Sequence, residues 1–141
     1  MTAVKGHDLE LQGAIKTVLA ASADLATLMG TFRLYQDVPE DAAFPYLTIG
    51  ESQLVPDLAE CIDGSEIFPV IHVWSRSHGG FEEAKKIAAN IFVALTAASI
   101  TLTENKCLLI ERDQLGDVSM RDPDGKTKHI ACHYRALIET R

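Results

Sequence analysis

Five histidines and three cysteines are the side chains of this 141-residue chain best suited to metal ligation or nucleophilic attack. Their spacing argues against both. His129 and His133 are four apart, so on a strand they share a face but stand about 13 Å apart along it. They would need ligands from another strand to hold one ion. Cys132 and His133 are adjacent, so a strand sends them to opposite faces and they cannot pair as thiolate and base. Cys61, Cys107 and Cys132 are widely spaced, with no Cys-x-x-Cys, which fits neither a zinc site nor a disulfide scaffold. Free, mostly buried thiols in a reducing compartment are expected. No Gly-x-Ser-x-Gly elbow is present. Gly79-Gly80 lacks the further glycines and the Lys-Ser/Thr of a phosphate loop, and Glu82 and Glu83 would repel an anion there. It is expected as a strand-to-helix junction. No enzyme activity, metal or cofactor is therefore expected.

Two other groups of residues carry information. Asp122-Pro123-Asp124-Gly125 is a turn signature: aspartate bonds the turn backbone, proline sets φ and glycine permits positive φ. Trp74 is the only tryptophan. Strand alternation puts it on one face with His72 and Arg76, opposite Ile71 and Val73. A large aromatic there suits a protein contact; it suits equally a core position capping the neighbouring helix.

The elements that must position these residues follow from periodicity. Leu11, Ile15, Val18 and Leu19 recur at helical spacing after Asp8, a candidate N-cap, predicting a helix over 8–21. Ser22 caps a second short helix over 23–29, with Gly30 as its C-terminal glycine. Short strands are expected at 32–35 and 44–50, the second tolerating Pro45 near its start. Residues 52–65 hold Pro56, Gly64 and several acids without a basic residue, and are expected as a flexible loop. A third strand over 66–75 contains Pro69, so it should be bulged or on an edge there. Phe81, Ala84, Ile87, Ala88, Ile91 and Leu95 predict an amphipathic helix over 81–98, with Glu82 and Glu83 favourably placed in its first turn. Strands follow at 100–102, 106–112 and 117–121, the last past a bend at Gly116. In the final strand, 127–139, the apolar Ile130, Cys132, Tyr134, Ala136 and Ile138 alternate with a more polar set. The order predicts an α+β fold, one domain over 1–141: a mainly antiparallel sheet with two main helices packed on one face.

Composition bounds the partners. Lys plus Arg number 13 and Asp plus Glu number 20, a net charge of −7. That balance is wrong for gripping phosphate backbones. No apolar run reaches the roughly 18 to 20 residues of a membrane helix, and residues 1–8 lack a signal-peptide pattern.

Three segments in this order resemble a known family. They are Asp37-Val38-Pro39 followed by Phe44-Pro45-Tyr46; His72-Val73-Trp74-Ser75, a glycine break and an Ala/Lys-rich helix; and Arg121-Asp122-Pro123-Asp124-Gly125 leading to a strand with Tyr134-Arg135-Ala136. Together they are similar to the tail-terminator, or tail-completion, proteins of long-tailed bacteriophages and gene transfer agents, over about residues 9–139. The resemblance implies a structural virion protein without catalytic residues. It implies a homo-oligomer, typically a hexameric ring, at the head-proximal end of the tail tube. Such a ring ends tube polymerisation and meets the major tail tube protein on one side and head-completion or connector proteins on the other. It also implies assembly in the bacterial cytoplasm and residence at the head–tail junction, with DNA present only in transit. On that basis Val55, Pro56, Asp57, Leu58 and Glu60 are expected as an arm reaching a neighbour, with Trp74 and Arg76 as further contact residues. Glu51, Asp63, Asp113, Asp117 and Asp124 are expected to face the channel, where acids would repel passing phosphates. A small regulatory or ligand-binding α+β module that dimerises through its sheet is the alternative.

Overall fold

The computed structural model describes residues 6–57, 63–97 and 100–141. Its elements run α1 (His7–Ala20), α2 (Ala23–Met29), β1 (Leu34–Tyr35), β2 (Tyr46–Asp57), β3 (Gly64–Ser75), α3 (Glu82–Ala97), β4 (Asn105–Arg121) and β5 (Lys128–Thr140). The class is α+β as expected.

The helices form where apolar periodicity demands it. Leu11, Ile15 and Leu19 of α1 and Ala84, Ile87, Ile91 and Leu95 of α3 are completely buried. Each of the larger aliphatics contributes about 1.5–3 kcal/mol by leaving water. Ser22 caps α2 as anticipated, its hydroxyl accepting the Leu25 N–H at 3.2 Å, and Gly30 ends that helix at φ 78°. Asp8 is not the α1 cap. Gly6 occupies that position with no side-chain bond, and Asp8 lies in the first turn, accepting the Ser52 hydroxyl.

The five strands form one sheet in the order β1-β2-β3-β5-β4. β1 runs parallel to β2, while the other three pairings are antiparallel. The sheet is therefore mixed, not the mainly antiparallel one expected. The parallel pair arises because residues 36–45 carry the chain back to the starting end before β2. Residues 100–102, expected as a strand, form none; Ile100 and Leu102 are buried without joining the ladder.

Residues 52–57, 64 and 65, expected within a flexible loop, are strand instead. β2 continues to Asp57 and β3 begins at Gly64, with Val55 opposite Glu66 and Asp57 opposite Gly64. β3 here pairs on its other side with β5, from Gly64–Glu139 to Ile67–Ala136, so this segment belongs to the sheet; residues 58–62 lie outside the described residues. Cross-strand pairing overrode the composition, which had suggested a loop.

Pro69 is tolerated in a central strand by a bulge. Ile49 faces Ile71, yet Ser52 faces Pro69, so Gly50 and Glu51 together oppose the single residue Val70. Gly50, at φ 153°, supplies the backbone freedom. On the other side the ladder skips Phe68 and Pro69, resuming from Ile67–Ala136 to Val70–His133 in unchanged register. The missing amide is thus matched by a local lapse in pairing rather than by an edge position.

β5 obeys the alternation read from sequence: Ile130, Cys132, Tyr134, Ala136 and Ile138 are buried, and His129, His133, Arg135 and Leu137 are half-buried on the other face. β3 does likewise, with Ile67, Ile71 and Val73 inward and Glu66, Phe68, Val70, His72 and Trp74 outward. The inward residues join those of α1, α2 and α3 in one core cluster.

Candidate interaction surface

The outward face carries a row of rings across three strands. Register puts Tyr46 of β2 opposite Trp74 of β3, and Trp74 opposite His129 of β5. The Trp74 and His129 rings stack with centroids 3.8 Å apart and planes 7° apart. Tyr46 continues the row at 6.4 Å from Trp74, touched by Phe44 at 4.8 Å and Tyr35 at 5.7 Å. The Trp74 indole N–H donates to Thr48 Oγ1 at 3.0 Å. Of the two positions open to Trp74 from sequence, the outward one is realised.

Arg76 flanks the row. Its guanidinium lies 4.3 Å from the Phe44 ring centroid, and its Nε–H donates to Thr127 Oγ1 at 3.0 Å. Asp124 is 3.5 Å from the same guanidinium. Asp124 also accepts the Thr127 hydroxyl and the backbone N–H groups of Lys126 and Thr127. Those bonds, the Thr127 hydroxyl first, hold its carboxyl far below the usual carboxylate range. Asp124 therefore builds the 122–125 turn.

Beside Trp74, His72 Nδ1 and His129 Nε2 are 2.6 Å apart, and His72 Nε2 stands 3.2 Å from Glu51 Oε1. The bulge at Gly50–Glu51 brings Glu51 there. Alternation had placed both histidines on this face; their meeting depended on a β3–β5 register that sequence does not state. His133 goes elsewhere, its Nδ1 2.9 Å from the Gly116 carbonyl.

Further along the face Arg135 bonds Glu66 and, at 2.8 Å, Glu111. The Cys132 thiol is buried, and burial, with Asp117 adding to it, pushes it far above its ordinary value. Burial also raises Cys107. Neither is prepared to act as a thiolate. Among the described residues, no three His, Cys, Asp or Glu side chains are grouped to hold a metal.

The edges are the other notable feature. β4, 17 residues long, forms one edge of the sheet and exposes Leu108, Leu109, Leu115, Val118 and Met120. It bends where Asp113–Gly116 oppose the single residue His133, between the Arg112–Tyr134 and Asp117–Cys132 pairs. At the opposite edge β1 covers only Leu47 and Thr48 of β2, and Leu54 and Val55 beyond it are exposed. Val55 was expected as a contact residue, whereas the apolar edge residues of β4 were not singled out from sequence, where the run of Leu, Leu and Ile reads simply as strand.

The remaining expected residues are dispersed. Val55 and Pro56 are exposed strand residues and Asp57 ends β2; Leu58 and Glu60 lie outside the described residues. Glu51 is on β2, while Asp63, before β3, accepts the Thr140 hydroxyl at 2.9 Å. Asp113 and Asp117 are on β4, Asp117 being 3.3 Å from Arg112. The fold does not bring these acids to one spot within a single chain.

A family described as tail completion protein gp17 matches residues 13–139. The chain belongs to that family. Its fold is similar to a chain of the virion of a native gene transfer agent particle, with a TM-score of 0.85 and 25% identity, covering 96% of this chain and 99% of that one. It is also similar to the gp17 protein of bacteriophage SPP1, with a TM-score of 0.59 and 23% identity over 91% and 88% of the two chains. No curated protein matches at a significant level. Membership makes the chain a tail completion protein of a phage or gene transfer agent virion, and the tail completion family is one of structural virion proteins.

Proposed function

We propose that this tail completion protein assembles as a closed ring, typically of six copies, on the head-proximal end of the tail tube. There it ends tube polymerisation and presents the surface that head-completion proteins join. The observation that carries this reading is the pair of open sheet edges: β4 with five exposed large apolar side chains, and β2 beyond Thr48. An edge of that length and apolarity is a template for pairing with another chain. In this sheet β2 and β4 run antiparallel to each other, since three antiparallel steps separate them. Rotating one copy about an axis along the strands therefore sets its β2 antiparallel beside the neighbour's β4. Repetition of that head-to-tail contact closes a ring.

In the same reading the helices cover one face of each subunit's sheet, and the outward face, with Trp74 and Arg76, meets a neighbour or the tube protein. The end of the β2–β3 pair, with Val55, Pro56 and Asp57 on β2, is the arm that reaches a neighbour; Leu58 and Glu60, expected to share this role, lie outside the described residues. Glu51, Asp63, Asp113, Asp117 and Asp124 line the bore as the ring brings separate copies together, so that DNA passes without adhering. The particle is completed in the bacterial cytoplasm and the ring remains at the head–tail junction.

The test is the absolute mass in solution, with negative-stain images of the protein alone and mixed with tail tubes. An annular particle of about six copies, free or capping tubes, supports the ring. A monomer or dimer that never caps tubes and leaves their growth unlimited overturns it.

A further inference from the structure

We propose that His72 and His129 form a one-proton latch beneath Trp74, which makes the outward contact face sensitive to acid. The geometry carries this. At 2.6 Å the His72 Nδ1 and His129 Nε2 atoms must share a proton, one nitrogen donating and the other accepting. His72 Nε2 is buried without a hydrogen-bond partner, and the charged atom nearest it is Glu51 Oε1 at 3.2 Å. A bare lone pair there would face a carboxylate. His72 Nε2 therefore carries a proton, and two states satisfy the contacts. Either His129 Nε2–H donates to a neutral His72, or a singly charged pair donates from His72 to a neutral His129.

A second proton on the pair removes the last acceptor. Both facing nitrogens become donors, two like charges meet in rings 4.8 Å apart, and the bond cannot form. The groups around the pair are Glu51 and Thr48 on β2, Trp74 on β3, Met120 on β4, and Asp122 in the turn after β4. The two carboxylates favour the charged form, but burial and the His72 charge outweigh them at His129, whose proton affinity is lowered. His129 then swings from His72, and because it lies flat on Trp74, the indole loses its stacking partner. Proton uptake near mildly acidic pH thereby loosens the row of rings that meets a partner. The latch itself concerns the single chain and is tested there, while its effect on a partner contact rests on the reading that this face meets a neighbour or the tube.

Trp74 is the only tryptophan, so its fluorescence reports the latch directly. Between about pH 7.5 and pH 5 the emission should change in one step with a midpoint below the ordinary histidine value of about 6.5. His129→Gln and His72→Gln retain a hydrogen-bonding group that does not titrate, and each should remove the step. Far-UV circular dichroism verifies that the variants are folded. Should either variant not fold, long-range imidazole ¹⁵N spectra of the unaltered protein decide: two well-separated protonations on this pair support the latch. A flat Trp74 emission, a step unchanged in the folded variants, or two independent titrations near 6.5 would overturn it.

Discussion

Glu10 Oε1 accepts the backbone N–H of Asn105 at 3.0 Å, across 95 residues of chain. The same carboxylate accepts the Glu104 N–H at 3.1 Å and the Thr103 hydroxyl at 3.3 Å. Glu10 and Asn105 are both buried, so these bonds fasten the first turn of α1 to the start of β4. They settle where the long edge strand begins. Close by, the Leu102 carbonyl accepts a hydrogen bond from the Arg141 guanidinium at 3.0 Å.

Replacing Glu10 with Leu removes the carboxylate that these amides bond to, at a cost of about 1–3 kcal/mol. Glu10→Gln keeps one acceptor oxygen and should lose less. Urea unfolding of the two variants checks the order; equal midpoints for Leu and the unaltered protein would refute it.

The Ser22 cap gives a separate local test. Ser22→Ala removes the bond to the Leu25 amide and should cost about 0.5–2 kcal/mol. Asp8→Ala removes no cap and should cost less. Thermal melts of both variants distinguish a true cap from the position that merely looked like one in sequence.

The β4 edge should matter for assembly and little for folding. Leu115 is 65% exposed, so Leu115→Asp should change stability by no more than about 0.5 kcal/mol. The same holds for Val118→Lys at this exposed position. Combined, they should reduce association of copies and tail completion together. Sedimentation and melting on the same samples separate the outcomes; full assembly by the double variant would remove β4 from the interface.

Acid should weaken the fold in two limbs of distinct origin. The lowered His129 affinity means the unfolded chain takes its proton first, so stability falls as pH drops below about 6.5. The depressed Asp124 carboxyl acts later: its contribution is complete above about pH 4 and is lost progressively below. Denaturation midpoints measured across pH should lose the upper limb in His129→Gln and part of the lower limb in Asp124→Asn. A profile unaltered by either substitution contradicts the assignment.

Much of the local architecture was legible in the amino-acid order. Leu11, Ile15 and Leu19 repeat at helical spacing, and the alternation of β5 sorted its buried from its half-buried residues without error at Ile130, Tyr134 or Ile138. Ser22, Gly30 and the Asp122–Gly125 turn act through bonds only a few residues long, which is why they can be read locally. Pro69 announced an irregularity, and the motif order pointed to the tail completion family.

What depended on tertiary structure was everything set by partners distant in sequence. Whether residues 52–57 are loop or strand turns on an opposing strand to bond, and β3 supplies it. Whether Pro69 marks an edge or a bulge turns on strand order, because a proline is tolerated wherever its missing donor has no partner to disappoint. His72 and His129 each lie on the expected face, yet only the β3–β5 register, fixed by burial of Ile71 and Val73 against Ile130 and Cys132, brings their nitrogens together. Periodicity encodes which way a side chain points; it carries no term for what lies opposite, and that is where the bonds, the bulge and the open edge were decided.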